Sequence, residues 1–169
     1  MNHIDEGNEA RLEADEQCAV TALSEQMTSA NALIRLSRLI QDVFTSVSAR
    51  HDLTPVQARL LGVLVAGPKG MAELARMLGV ERAAMTGLVD RAERSGLVER
   101  VPVPGDRRAV HVTVTDLGRR TGGAVHADST RELDRLLDPL SIAERADLRI
   151  AMAKILTPTN PSTDSPRTS

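Results

Sequence analysis

The residues of this chain best suited to chemistry are arginines and small side chains gathered in two neighbouring segments. One is MAELARMLGVERAAMTGLVD, residues 71–90, followed directly by Arg91; the other is PVPGDRR, residues 102–108. A guanidinium presents a rigid fork of donors that matches the paired acceptors of guanine or a phosphate. Alanine and threonine methyl groups suit the methyl of thymine. Bond-making chemistry has no comparable set of residues. The chain contains no His-Glu-x-x-His, no glycine-rich phosphate loop and no Gly-x-Ser-x-Gly. His3, His51, His111 and His126 are scattered without ligand spacing, and the one cysteine, Cys18, excludes an internal disulfide and a multi-cysteine zinc site. The chain is therefore expected not to be an enzyme and to need no metal or cofactor.

Residues 71–90 have the pattern of a helix-turn-helix. Ala75 is small where the two helices would cross, Gly79 falls in the turn where a positive φ is needed, and Leu74, Leu78, Val80, Met85 and Leu88 are apolar where the pair buries its inner face. In the second helix Met85, Leu88, Val89 and Ala92 form the inner stripe. Arg82, Ala83, Ala84, Thr86, Gly87 and Arg91 then face outward, the side that meets base edges if the helix enters a major groove. Arg82 or Arg91 would read guanine or hold a phosphate; the competing role for Arg91 is a surface ion pair with Asp90 or Glu93. Residues 102–108 read as a basic hairpin loop with Arg107 and Arg108 at its tip and Asp106 close enough to orient one of them. An arginine there can enter a narrow minor groove; the plainer alternative is an ordinary charged turn.

Several elements must position these segments. Leu33, Leu36, Ile40, Val43, Phe44 and Val47 recur at steps of three and four, which predicts a helix over about 31–50. Thr54-Pro55-Val56-Gln57 is a helix start, and that helix runs to about Ala66 before Gly67-Pro68. The helix-turn-helix follows as helices over about 71–78 and 82–95. Period-two runs then predict strands at 97–101 and 110–114. Thr115 or Asp116 caps a fifth helix, about 116–138, with Gly122-Gly123 inside it as a weak spot, a bend or a close packing point. Ser141-Ile142-Ala143-Glu144 is a capping box that opens a sixth helix over about 142–156.

Charge divides the chain. The formal net charge is -2, but residues 1–25 carry seven acids against Arg11 and residues 157–169 balance Asp164 against Arg167, so residues 26–156 have a net of +4 (-2 minus -6 minus 0). A mildly basic folded part is consistent with a polyanionic partner. Tyrosine and tryptophan are absent and Phe44 is the only aromatic residue, which argues against single-strand or RNA binding by base stacking. No apolar run is long enough for a membrane span, and the acidic start lacks a basic-then-apolar signal pattern, so a cytoplasmic protein is expected. The expected organisation is an acidic extension over 1–27, a folded domain over 28–156 and a disordered tail over 157–169, TPTNPSTDSPRTS.

The order helix, helix, helix-turn-helix, strand, wing, strand, long helix, helix resembles the MarR family of transcriptional regulators. The stretch LVDRAERSGLVERVPVPGDRRAVHVTVTDLGRR, residues 88–120, is similar to that family's signature, including the wing pattern Asp106-Arg107-Arg108. The resemblance covers about residues 31–156. It implies a mainly α fold with a small β-hairpin wing: a winged helix-turn-helix over about 54–115 and dimerisation helices over about 28–50 and 116–156. It further implies a homodimer that binds a palindromic double-stranded DNA operator, probed by positions matching Ala83, Ala84 and Arg91 in the major groove. The arginine matching Arg108 would enter the minor groove, braced by Asp106. Release by a small-molecule effector, often phenolic, or by an oxidant is implied as well, and Arg38, Phe44, His51 and His126 are the candidate effector residues by helix position. Two subgroup features are missing. The reactive cysteine of peroxide-sensing members would fall near Ala30, not at Cys18, and the tryptophan that urate-responsive members use in their extension has no counterpart. A protein-binding winged-helix adaptor should lack a basic wing, and a metal-sensing repressor would want Cys or His pairs on the dimer helices.

Overall fold

The computed structural model describes residues 21–22, 27–103 and 105–157, and for Asp106, Arg107 and Arg108 the backbone alone. The expectations for the acidic extension over residues 1–20 and 23–26, for Cys18 and for the tail beyond residue 157 lie outside the described residues. Helix α1 spans Ser29–Arg50, α2 Pro55–Leu64, α3 Met71–Leu78, α4 Arg82–Arg94, α5 Asp116–Arg135 and α6 Ile142–Leu156. Three strands, β1 (Lys69–Gly70), β2 (Val98–Val103) and β3 (Asp106–Val114), form an antiparallel sheet in the order β1-β3-β2. The fold class is as expected, mainly helical with a small hairpin. The chain divides into two compact units, residues 1–129 and 130–169, and α5 runs through the division.

Local chemistry explains most boundaries. Thr54 accepts from the Gln57 amide while the Gln57 side chain accepts from the Thr54 amide, and Pro55 supplies the preset φ of the first turn. The helix ends at Leu64, two residues short of the expected Ala66, ahead of Gly67 at φ +121°. Gly79 closes α3 in the left-handed region at φ 66°, ψ 36°, and the Val80 amide then donates to the Ala75 carbonyl at 3.0 Å. Ala75 is buried, as close helix crossing requires. The hairpin differs from the expected loop: β2 reaches Val103, β3 begins at Asp106, and Val103 pairs with Asp106 across a two-residue connection in which Gly105 has φ +86°. Strand β1 was not expected from the sequence. Two residues are too few to show a period, yet Lys69 pairs with Val112 and Gly70 with His111.

In the first unit one core unites Val47 of α1, Leu60, Leu61 and Leu64 of α2, Leu74 and Leu78 of α3, Met85, Leu88, Val89 and Ala92 of α4, Val98 and Val112 of the sheet and Val125 of α5. Thr115 caps α5, accepting from the Gly118 amide at 3.0 Å while its own hydroxyl donates to the Gly96 carbonyl at 2.6 Å. Gly118 is where α5 meets the start of β2: a Cβ there would stand 1.9 Å from the Leu97 carbonyl oxygen. Gly122 also packs closely, its notional Cβ 3.1 Å from the Leu61 Cβ, whereas Gly123 faces open space. In the second unit α5 ends at Arg135, three residues before the expected 138, and Ser141 and Glu144 form the capping box of α6. No described helix is long and apolar enough to cross a membrane.

Candidate nucleic-acid interface

Helix α4 has two distinct sides. Met85, Leu88, Val89 and Ala92 are buried, a three-four repeat that anchors it on the core. Arg82, Ala83, Ala84, Thr86 and Arg91 are exposed, as expected, and Gly87 is half-buried. The reason for Gly87 lies with Arg91: a Cβ at Gly87 would sit 3.4 Å from the Arg91 Nη1, so the guanidinium lies back along the helix over that glycine. The Thr86 hydroxyl donates to the Arg82 carbonyl at 3.3 Å, which keeps its hydrogen inside the helix. Glu81 is the N-cap residue but makes no side-chain cap, and the first turn has no acid. Backbone amides at such an end favour an anion.

The carboxylates on α4 are held from the sheet. Arg100 of β2 donates through Nη2 to Asp90 at 2.6 Å and through Nη1 to Glu93, and its backbone amide donates to Glu93 at 3.3 Å. The Asp90 hydrogen bond, with the Glu93 charge beside it, raises the Arg100 guanidinium above its ordinary pKa. This corrects the ion pair considered for Arg91: Asp90 and Glu93 both turn to Arg100. Among the described residues, Arg82 and Arg91 have neither a hydrogen bond nor an ion pair with a side chain. Sequence reasoning missed Arg100. The signal was available, since Asp90 and Glu93 sit three apart on one helix face and the strand that follows carries the arginine.

Asp106, Arg107 and Arg108 begin β3 immediately behind the turn, so they lie in a strand rather than in a loop. The expected brace between Asp106 and an arginine concerns side chains outside the described set. Strand β3 is held on both edges, by β1 and β2, which ties the hairpin to the base of α3. At that base the Lys69 ammonium donates to Glu73 at 3.0 Å, and this bond lowers the Glu73 pKa.

The four candidate effector residues have different settings. Arg38 is exposed on α1, and His126 is exposed on α5. Phe44 is half-buried and packs on the core, and its carbonyl accepts from the Ser48 hydroxyl at 2.7 Å. His51 ends α1, with its Nε2 2.9 Å from the Asp128 carboxylate of α5. Asp128 was not among the expected residues, because a separation of 77 positions leaves no local trace. One turn of α5 from Val125, Ser129 is buried with its hydroxyl oxygen unpaired among the described residues. No described group of three or more His, Cys, Asp or Glu is arranged to hold a metal ion.

Comparison with known proteins gives a consistent result. A family model described as "MarR family" matches residues 51–109, from the end of α1 into β3. The multiple antibiotic resistance protein MarR of Salmonella typhimurium is 31% identical over 135 residues, covering 75% of this chain and 94% of that protein. The crystal structure of wild-type MarR from E. coli, in its apo form, is 25% identical with a TM-score of 0.68, over 77% of this chain and 98% of that one. A structure titled as the transcriptional repressor CouR bound to a 23-mer DNA duplex is 33% identical with a TM-score of 0.62, over 79% of this chain and 94% of that one.

Proposed function

The chain belongs to the MarR family of transcriptional regulators, and on that footing we propose that it is a homodimeric repressor that occupies a palindromic operator and leaves it when a small-molecule effector binds. It is a DNA-binding regulator and not an enzyme. In this reading residues 54–115 are the winged helix-turn-helix, residues 28–50 and 116–156 pair the two copies, residues 1–27 form an extension and residues 157–169 a tail. Helix α4 enters the major groove. Arg82 and Arg91 hold phosphates or guanines, Ala83, Ala84, Thr86 and Gly87 allow close approach to base edges, and Arg107 and Arg108, with Asp106, serve the neighbouring minor groove.

The observation that carries this reading is the outer face of α4, whose arginines have no described carboxylate partner because Arg100 holds Asp90 and Glu93. Dimerisation is supported by apolar side chains left in water by the single chain. On α1 these are Leu33, Ile34, Leu39 and Ile40; on α6, which buries no residue, they include Ile142, Ile150, Ile155 and Leu156. Apolar faces of this kind mark association sites. A two-fold dimer would set two copies of α4 about 34–36 Å apart, one turn of DNA. An effector near Arg38, Phe44, His51 and His126 would release the operator by favouring a different separation of the two reading heads. The relative called CouR is named a repressor and was solved on a DNA duplex, which supports the same role here.

Selection of bound fragments from random double-stranded DNA tests the proposal. The expected result is a palindrome of about 16–20 base pairs, two half-sites one turn apart. Recovery of fragments with no shared sequence, or with a single unpaired half-site, would overturn it.

A further inference from the structure

The open face of α4 and the charge at the N-terminal end of the chain are complementary. Arg82 and Arg91 are exposed there without a described side-chain partner, and Arg76 is exposed on α3. Residues 1–25 hold Asp5, Glu6, Glu9, Glu13, Asp15, Glu16 and Glu25 against Arg11 alone, a net of -6 beside a folded part of +4. We propose that this acidic segment docks on the α3–α4 face and holds the place of nucleic acid until DNA displaces it. The proposal rests on the reading of α4 as the DNA-contacting helix and adds an occupant for that face when no DNA is bound.

Three considerations support the segment as the occupant. The first is spacing: Glu6, Glu9, Glu13 and Glu16 are separated by three, four and three positions, which would set four carboxylates along one face of a helix, about 5–6 Å from one to the next. A row of anions at such intervals presents the arginines with the kind of target a phosphate strand presents. The second is reach. Twenty-five residues span about 37 Å even when wholly helical, against about 30 Å for the diameter of a small domain. The third is the local concentration of a tethered group, which reaches the millimolar range and makes even weak ion pairing count. The contact is made of exposed charges, so it weakens as salt shortens the Debye length to about 8 Å at physiological ionic strength. Its consequence is selectivity. Docking weakens operator and random duplex by the same factor, so at a given DNA concentration the duplex offering only phosphates falls below measurable occupancy first, and the operator, with its base contacts, stays bound.

The test uses the whole protein with a nitroxide on Cys18, its only cysteine, which lies within the acidic segment. Paramagnetic broadening is read at the backbone amides of residues 82–91. Broadening at low salt that disappears on adding duplex DNA, and on raising the salt to about 0.5 M, is the expected result. Unbroadened α4 amides, or broadening that persists with DNA bound, would overturn the docking. A second measurement separates docking from net charge. Replacing Glu9, Glu13 and Glu16 together by Gln is expected to tighten binding to random duplex about tenfold at low salt. The matched change of Asp42, Asp134 and Asp147 to Asn should do so far less, and equal effects of the two triple variants would also overturn the proposal. If α4 shows the broadening but no duplex binds at any salt, the docking stands and the DNA-reading assignment is the part that fails.

Discussion

Arg91 depends on residues that never touch it. Its neighbours Asp90 and Glu93 would be its natural partners, and a single arginine on the next strand engages both. Replacing Arg91 by Ala is expected to weaken operator binding by about 1–3 kcal/mol if it pairs with a base, and to relax selection at one position. If it holds a phosphate, affinity falls evenly across sequences and the slope of log affinity against log salt drops by about one. Titrations of operator and random duplex at several salt concentrations distinguish the two. Replacing Arg100 by Met makes a sharper test. Loss of the guanidinium leaves Asp90 and Glu93 with a net charge of -2 in place of -1 beside the proposed DNA face and makes them available to Arg91, so affinity should fall. Adding Asp90→Asn and Glu93→Gln should then restore much of it. If the triple variant binds no better than the single one, Arg100 matters through packing and not through charge. The outward positions of α4 were readable because a helix of known phase has one side committed to the core. The Arg100 clamp was not, because it is a contact between a helix and a strand.

At the scale of elements, glycines and caps set the joints. Gly118→Ala would drive a methyl into the Leu97 carbonyl and is expected to destabilise by about 2–3 kcal/mol. Gly123→Ala, five residues along the same helix and facing open space, is expected to stabilise by about 1 kcal/mol. Denaturant midpoints at unchanged slope measure both, and equal effects at the two sites would contradict the packing described. The pair of glycines at 122 and 123 thus splits: one sits at a close helix contact and the other is only a flexible point. The Lys69–Glu73 bond makes a prediction in pH. The Glu73 carboxyl is held below its ordinary value by the ammonium bond, so its contribution is present above the unfolded value of about 4.3 and is lost as pH falls through the lower folded value. The melting temperatures of the native protein and Glu73→Gln should differ at neutral pH and converge below about pH 4. A difference that stays constant down to pH 3 would assign the effect to shape alone.

For the whole molecule, the decisive quantity is the number of copies. Sedimentation of the native chain should give a dimer, and Ile155→Glu with Leu156→Glu should shift it toward monomer while greatly weakening operator binding and leaving the helix content intact. A variant that stays dimeric with full affinity would exclude α6 from the interface. The sequence alone determined the class of fold, the limits of α3 and α6 and the outward set on α4, because these follow from side-chain period, capping residues and turn glycines within a few positions. It also determined the charge split, which is a sum over residues. Only the tertiary structure decided that β1 completes the sheet, that the hairpin closes in two residues, that Asp90 and Glu93 belong to Arg100 and that His51 belongs to Asp128. Each of these joins residues on separate elements, and the free energy that selects them is packing and pairing across space, which leaves no periodicity in the chain to be read beforehand.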